Sequence, residues 1–411
     1  MKKLIGLTLM CLLVHAISFA GNYTWTGTIN SSWDSTGNWN PAGVPTSNDT
    51  ININSTTNSL ALDGNRTVRR IVMNSDTLDL GGDTLTITVS AGMNGGSINN
   101  GVYNANCSGL LNFAGTTFGA VVVAKGQIKL NGCIFNTTAS FEHIGSAAGV
   151  GTGGNTFNGV TTLKNTGTTT LRLGGTNSDT FNDDVYIINS SAMVGSGSLQ
   201  LSYGATSYFN GNLIVSSTTV FGISFSGAGS GSSVLDTGKT ITIGSAGFGG
   251  TLLLRNFTQL HSTAQSMTLS GALNLVNSTF NGPLTCTSGN ILLSGNNFHG
   301  ATSFTKTGPS SDYSAGGNHF FQSVTVSNNT TNSAIVRFAA TSGDIYYNDV
   351  ALNTNTGFIQ LAYSDTNEFK GDLTINSSKV TFNNGNGILQ CTGGNAQEFG
   401  GMLPLWLESY G

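Results

Sequence analysis

The stretch Phe369-Lys370-Gly371-Asp372-Leu373-Thr374-Ile375 carries the pattern that decides the fold. With Phe369 as position zero, Gly371, Leu373 and Ile375 share one face of an extended chain, and Lys370, Asp372 and Thr374 take the other. The same phrase stands at Phe157-Asn158-Gly159 with Thr161 and Leu163, and at Phe280-Asn281-Gly282 with Leu284 and Cys286. Weaker copies begin at Phe118, Phe135, Phe181, Phe209, Phe248, Phe298, Phe320, Tyr346 and Phe399. Internal repetition of this kind fixes an architecture before any other signal does.

A second strand, apolar-x-apolar, precedes each aromatic residue: Leu171-Arg172-Leu173, Leu199-Gln200-Leu201, Leu273-Asn274-Leu275, Val336-Arg337-Phe338 and Ile359-Gln360-Leu361. Turn-formers such as Thr176-Asn177-Ser178-Asp179 join the two. A third apolar run, as in Val380-Thr381-Phe382, sometimes follows. Successive aromatic positions lie 22 (135 to 157), 24 (157 to 181), 28 (181 to 209), 18 (280 to 298) and 23 (346 to 369) residues apart. So short a unit cannot bury its own apolar face, but stacked copies can. The expectation is an all-β chain wound as a parallel β-helix, a β-solenoid, with the aromatic residues in an internal ladder. About a dozen rungs at about 4.8 Å would make a rod of about 60 Å. A propeller blade, at about 40–50 residues, is too long for these intervals. The wider gaps, 209 to 248 and 248 to 280, predict degenerate rungs or outgrowths, with residues 224–233 as a protruding loop.

Composition agrees. Of 411 residues only 8% are charged, 57 are Gly, and Glu occurs only at 142, 368, 398 and 408. Neutral, β-compatible polar residues between regular aliphatic ones suit strands, not helices. Residues 1–20 read as an export signal, with Lys2 and Lys3, an apolar run from Leu4 to Ile17, and Ser18-Phe19-Ala20 as the cleavage site. Removing Lys2 and Lys3 from the 15 basic residues leaves 13 against 19 acids, a net charge of −6. That balance disfavours nucleic acid and anionic membranes as partners, and no later run is long enough for a transmembrane segment. Cys107, Cys133, Cys286 and Cys391 show no CxxC spacing and read as small core residues, with a disulfide allowed in an oxidising compartment but not indicated. The organisation expected is a signal over 1–20, a Trp-rich cap with the first rungs over 21–90, and β-helix repeats over 91–411.

Residues 22–90 differ from the rest, holding Trp25-Thr26-Gly27, Trp33, Asn38-Trp39, Pro45 and Asp49-Thr50-Ile51, then Leu78-Asp79-Leu80-Gly81-Gly82 and Leu85-Thr86-Ile87. This order resembles the opening of autotransporter-like and adhesin-like secreted repeat proteins of Gram-negative bacteria. The resemblance covers about the first 90 residues closely and the remainder only in repeat style. It implies a capped β-helix displayed outside the inner membrane. Bulky Trp side chains suit the covering that an open solenoid end requires. The ending at Leu403 to Gly411 matches neither the membrane barrel nor the sorting domain that many such proteins carry.

Chemistry is thinly written. Asp349 and Asp372 stand at +3 of consecutive repeats, a slot Asp184 also holds with Asp183 beside it. Stacked about 5 Å apart, they would approach the carboxylate separation of retaining glycosidases. Val160, Pro283 and Ala301 take that slot elsewhere, which favours solvated turn residues. His143, His261, His299 and His319 stand at unrelated offsets and read as surface residues, His299 facing water at +1. No metal-binding spacing, nucleophile elbow or phosphate-cradling loop is present, so neither cofactor nor metal is expected. The outward residues of the apolar-x-apolar strand, Lys129, Arg172, Gln200, Asn274, Arg337 and Gln360, form a column able to hydrogen-bond sugars or another protein. Asp-Thr-aliphatic phrases at Asp49, Asp76 and Asp83 resemble O-glycosylation sites of some Gram-negative secreted proteins. The functional expectation is a secreted or cell-surface, non-catalytic, adhesin-like or structural protein with glycans or surface proteins as partners. The alternatives are a polysaccharide lyase or hydrolase on the same fold, or a truncated remnant of a larger surface protein.

Overall fold

A computed structural model describes residues 20–191, 199–220, 222–227, 230–382, 388–391 and 398–399. Residues 1–19 of the segment read as an export signal over 1–20, and residues 400–411, lie outside the described residues. The chain is all-β, a parallel β-helix: strands return to three faces in turn and pair in parallel with those one coil earlier and later. The ladder face is one sheet of 16 short strands. The second face is a sheet of 12 strands continued by one of 7, and the third a sheet of 7 continued by one of 4. Sixteen strands at about 4.8 Å make a stack of about 72 Å.

Alternation explains each coil. In Ala139–His143, Thr161–Asn165 and Val324–Asn328 the residues at +4, +6 and +8 from the aromatic are buried and those between are half-buried. The small residue at +2 has a steric cause. A Cβ on Gly211 would lie 2.1 Å from the backbone of Asp183, and one on Gly371 would lie 2.4 Å from that of Asn348, so the corner passes directly over the preceding coil.

The aromatic ladder forms as expected, through Phe118, Phe135, Phe157, Phe181 and Phe209, then Phe280, Phe298, Phe320, Tyr346 and Phe369. Phe157 and Phe181 stack with centroids 4.5 Å apart and planes 2° apart. Two of the expected repeat starts are off the ladder. Phe248 pairs with Ser217 on the second face, and Phe399 pairs with Ile375. The wide gap after Phe209 holds two ordinary coils whose ladder positions are Leu235 and Gln259. There rings from other positions fill in, Phe225 from the third face and Phe257 from two residues before Gln259: Phe225 lies 5.7 Å from Phe209, Phe257 lies 5.9 Å from Phe225, and Phe280 lies 6.0 Å from Phe257. Of the protruding loop expected at 224–233, residues 228 and 229 lie outside the described residues, and the described residues beside them are built into the coil. Ile223–Phe225 is a buried third-face strand, Ser226 and Gly231 are buried and bonded to each other, and Ser233–Leu235 enters the ladder face.

Two buried polar columns flank the rings. One stands two residues before the ladder, where each side chain accepts the backbone N–H of its counterpart one coil earlier. Asn155 Oδ1 takes Cys133 N–H at 3.0 Å, Asp179 Oδ1 takes Asn155 N–H at 2.9 Å, and the series Asn296, Asn318, Asp344, Asn367 repeats this with contacts of 2.9–3.0 Å. Burial pushes the Asp179 carboxyl up to about 6 and that of Asp344 up to about 7. The other column, at +8, ties down the turn from second to third face. Asn165 Nδ2 donates to Thr169 O at 2.9 Å, and Asn328 Nδ2 donates to Ala334 O at 2.9 Å.

At the N-terminus Trp25, Trp33 and Trp39 are buried and meet edge to face, Trp39 lying 5.0 Å from each of the others. Trp39–Asn40 pairs antiparallel with Asn22–Trp25 and so closes the end of the second-face sheet. Parallel pairing then runs without a break from Asn22–Trp25 through Thr84–Met93 into the later coils. The early strands Val102–Ala114 and Val121–Asn131 bend across the second and third faces in one piece. From Ala139–His143 and Gly149–Val150 onward the two faces carry separate strands.

Candidate functional site

The residues just after the ladder aromatics form an outer column along one corner. In coils 135 to 209 it is an asparagine ladder: Asn158 Nδ2 donates to Asn136 Oδ1 at 2.8 Å, Asn182 to Asn158 at 2.7 Å, and Asn210 to Asn182 at 2.8 Å. In coils 298 to 369 the same positions hold His299, Phe321, Tyr347 and Lys370. His299 stacks on Phe321 at 4.4 Å, Phe321 on Tyr347 at 4.8 Å, and Lys370 Nζ covers the far face of the stack 4.3 Å from the Tyr347 ring centre. His319, from the adjoining outward position, lies 6.1 Å from both Phe321 and Tyr347, and its Nδ1 is 3.4 Å from the Tyr347 hydroxyl. Glu368 Oε1 stands 3.8 Å from Lys370 Nζ.

Register makes this ridge, because parallel pairing sets equivalent residues one above another at the spacing of stacked rings. Rings so close admit nothing between them. A ligand would meet their edges, the Tyr347 hydroxyl, the imidazole nitrogens, and the Lys370 and Glu368 charges. His299 was legible in the sequence as water-facing, and it is exposed. Phe321 and Tyr347 were missed, though the +1 offset was enough to find them once the ladder positions were aligned.

The predicted carboxylates are brought together, and the structure ties them to the backbone. Asp349 Oδ1 accepts the Asp372 N–H at 3.0 Å. Asp184 Oδ1 likewise accepts the Asn212 N–H at 2.8 Å, and Asn212 Oδ1 accepts that of Thr240 at 3.1 Å. The +3 slot therefore closes the corner from coil to coil, which accounts for Asp and Asn recurring there.

The outward third-face residues form local pairs. Arg172 Nε donates to Gln200 Oε1 at 2.7 Å and its guanidinium lies 4.4 Å from the Tyr203 ring centre. Arg337 Nε donates to Gln360 Oε1 at 2.8 Å, with its guanidinium 4.1 Å from Tyr313 and 5.1 Å from Tyr363. Gln360 is buried beneath this group, while Lys129 and Asn274 are half-buried. His143 is not a surface residue: it is buried, accepts the Ile128 N–H at Nδ1 at 3.3 Å, and burial pushes its pKa down to about 4. Cys107, Cys133 and Cys286 are free and buried, and burial pushes the first two thiols up to about 11. Thr50, Thr77 and Thr84, of the Asp-Thr-aliphatic phrases, are half-buried on strands. Among the described residues no three or more His, Cys, Asp or Glu side chains are grouped to hold a metal ion, and no helix is long and apolar enough to cross a membrane.

Comparison of the chain with protein-family models, with curated proteins and with solved structures finds no match.

Proposed function

We propose that this chain is an exported β-helix, secreted or held at the outer cell surface, that acts by binding in the manner of an adhesin and performs no catalysis. The observation that carries this reading is the His299–Phe321–Tyr347 ridge. It sets aromatic side chains at a water-facing corner that is an asparagine ladder in the earlier coils. His299 and Tyr347 are exposed and Phe321 is half-buried, and aromatic edges gathered at a surface suit an interaction site. The ridge offers ring edges with hydroxyl, imidazole, ammonium and carboxylate groups, which suits a hydroxyl-rich, weakly charged ligand such as a neutral glycan. The export signal at 1–20 supplies the address.

The test is binding of the purified chain from Gly21 onward to immobilised neutral polysaccharides, compared with a Phe321→Ser/Tyr347→Ser variant and an Asn158→Ser/Asn182→Ser variant. The expected result is binding that the first variant loses by tenfold or more and the second retains. Absence of glycan binding, or equal binding by all three chains, would overturn the proposal.

A further inference from the structure

Lys306 and Asp312 are both fully buried, and their ion pair is 3.1 Å long. Lysine is almost never wholly enclosed, least of all in a chain with so little charge. Lys306 ends the second-face strand Thr302–Lys306, in the +8 slot that Asn165, Asn189 and Asn328 fill in other coils. Asp312 begins the third-face strand Asp312–Tyr313, where the sheet of 7 strands gives way to the sheet of 4. Its carboxylate stands in for the missing backbone acceptor, taking the Ile291 N–H on Oδ2 at 2.9 Å and Asn290 Nδ2 on Oδ1 at 2.6 Å. Lys306 Nζ also donates to Gly289 O at 2.9 Å.

We propose that Lys306 and Asp312 condense to an intramolecular amide that locks this corner of the coil. Nζ attacks Cγ of Asp312 and the new N–C bond forms. One carboxyl oxygen departs as water with the two protons that Nζ gives up, so ammonium plus carboxylate becomes amide plus water with no other reactant. The oxygen that stays carries the negative charge of the tetrahedral intermediate. That oxygen is Oδ1, and Asn290 Nδ2 is the donor placed to hold it as an oxyanion-hole donor does, while the Ile291 N–H bonds Oδ2, the oxygen beside Lys306 Nζ that leaves. The product's single N–H keeps Gly289 O as its acceptor. Fixed contact inside the fold supplies the high effective concentration such a step needs, and complete burial keeps out the water that would reverse it. Burial also pushes the Lys306 amine down and the Asp312 carboxyl up, towards the neutral forms that react. For an exported rod, a covalent tie where the third-face sheet is interrupted replaces a buried charge pair that is costly to keep.

Trypsin reads this directly, because Lys306 is the one Lys or Arg between Arg255 and Arg337. An acylated Lys306 is not cleaved, so digestion of the full chain will give peptide 256–337 intact and about 18 Da below its sequence mass, with fragmentation joining Lys306 to Asp312. Asp312→Asn should form the same link with loss of ammonia, about 17 Da, and Lys306→Arg should restore cleavage at 306 and the full mass. Wild-type peptides 256–306 and 307–337 at unaltered mass from folded protein would overturn the proposal. So would a loss of about 17 Da joining Lys306 to Asn290, which would make Asp312 a proton carrier and not the electrophile.

Discussion

Residues 133–217 and 296–377 are two runs of four coils that bury nearly the same side chains and expose different ones. Inside, Phe135, Phe157, Phe181 and Phe209 stack at 4.5–5.1 Å, and Phe298, Phe320, Tyr346 and Phe369 stack at 4.6–4.9 Å. Asp179 and Asp344 occupy the same slot of the polar column, each accepting an N–H and an amide Nδ2 from the asparagine one coil earlier. Arg172 with Gln200 and Arg337 with Gln360 repeat one outer pair. At the ladder corner, however, the first run carries four asparagines where the second carries His299, Phe321, Tyr347 and Lys370. The interior is constrained by stacking against both neighbours, whereas the outer corner has only to tolerate water. Apart from the buried Lys306–Asp312 pair, the runs therefore differ most where side chains face water.

If the interiors are equivalent, equivalent truncations will cost the same. Phe181→Ala and Tyr346→Ala should each lower stability by about 3–5 kcal/mol, measured by chemical denaturation at pH 5. Each removes a ring stacked on both sides, at 4.5 and 5.1 Å for Phe181 and at 4.8 and 4.6 Å for Tyr346. Costs that differ by more than about 2 kcal/mol would break the equivalence and show that the coils unfold as separate units.

The buried carboxyls sharpen the comparison, since they differ in degree. Desolvation raises both, Asp179 to about 6 and Asp344 to about 7, and the hydrogen bonds from Asn155 and Asn318 oppose it. The folded chain thus holds these protons more tightly than the unfolded chain does. The resulting stabilisation is whole below about pH 4 and is lost as pH rises through about 6 for Asp179 and about 7 for Asp344. At about 1.4 kcal/mol per tenfold change in proton affinity, the loss by pH 8 approaches roughly 3 kcal/mol at Asp179 and roughly 4 at Asp344. Asp344→Asn, which installs the residue that fills this slot at 155, 296, 318 and 367, should flatten the pH dependence of unfolding more than Asp179→Asn does. A wild-type chain as stable at pH 8 as at pH 4 would refute the argument.

The coil was legible because the ladder phrase has fixed parity. Phe369, Leu373 and Ile375 point inward for the same reason that Lys370 and Asp372 do not. Legibility failed where a side chain took over a role the pattern gives to another. Phe257 supplies the ring that Gln259 lacks, so the aromatic signal slipped by two residues and Phe248 looked like a repeat start. Gln265 bridges the break in the second face by accepting the Ile241 N–H at 2.8 Å, a substitution that periodicity does not register. The polar columns were in plain view at −2 and +8, but buried Asn and Asp read as turn residues until stacking supplies each with a partner from the next coil. The outer ridge was legible only by its +1 offset: its meaning lies in the contrast with Asn136 to Asn210, and that contrast exists only after the coils are aligned.

The smallest effect tests the outer pair the two runs share. Arg337 lies between Tyr313 and Tyr363, whereas Arg172 meets Tyr203 alone. With about 0.5–1 kcal/mol for each such contact near the surface, Arg337→Ala should cost about 1–2 kcal/mol and Arg172→Ala about half of that. Arg337→Lys should recover little, because an ammonium offers neither the planar stacking surface nor the Nε–H that holds Gln360 in place. Adding Tyr313→Ala to Arg337→Ala should cost less than the sum of the two single changes, since both remove one contact. Simple additivity in that double-mutant cycle would show that Tyr313, more than half exposed, is held by the strand alone. The third face would then differ between the two runs in appearance but not in energy, and their real differences would be the ladder corner and the buried Lys306–Asp312 pair.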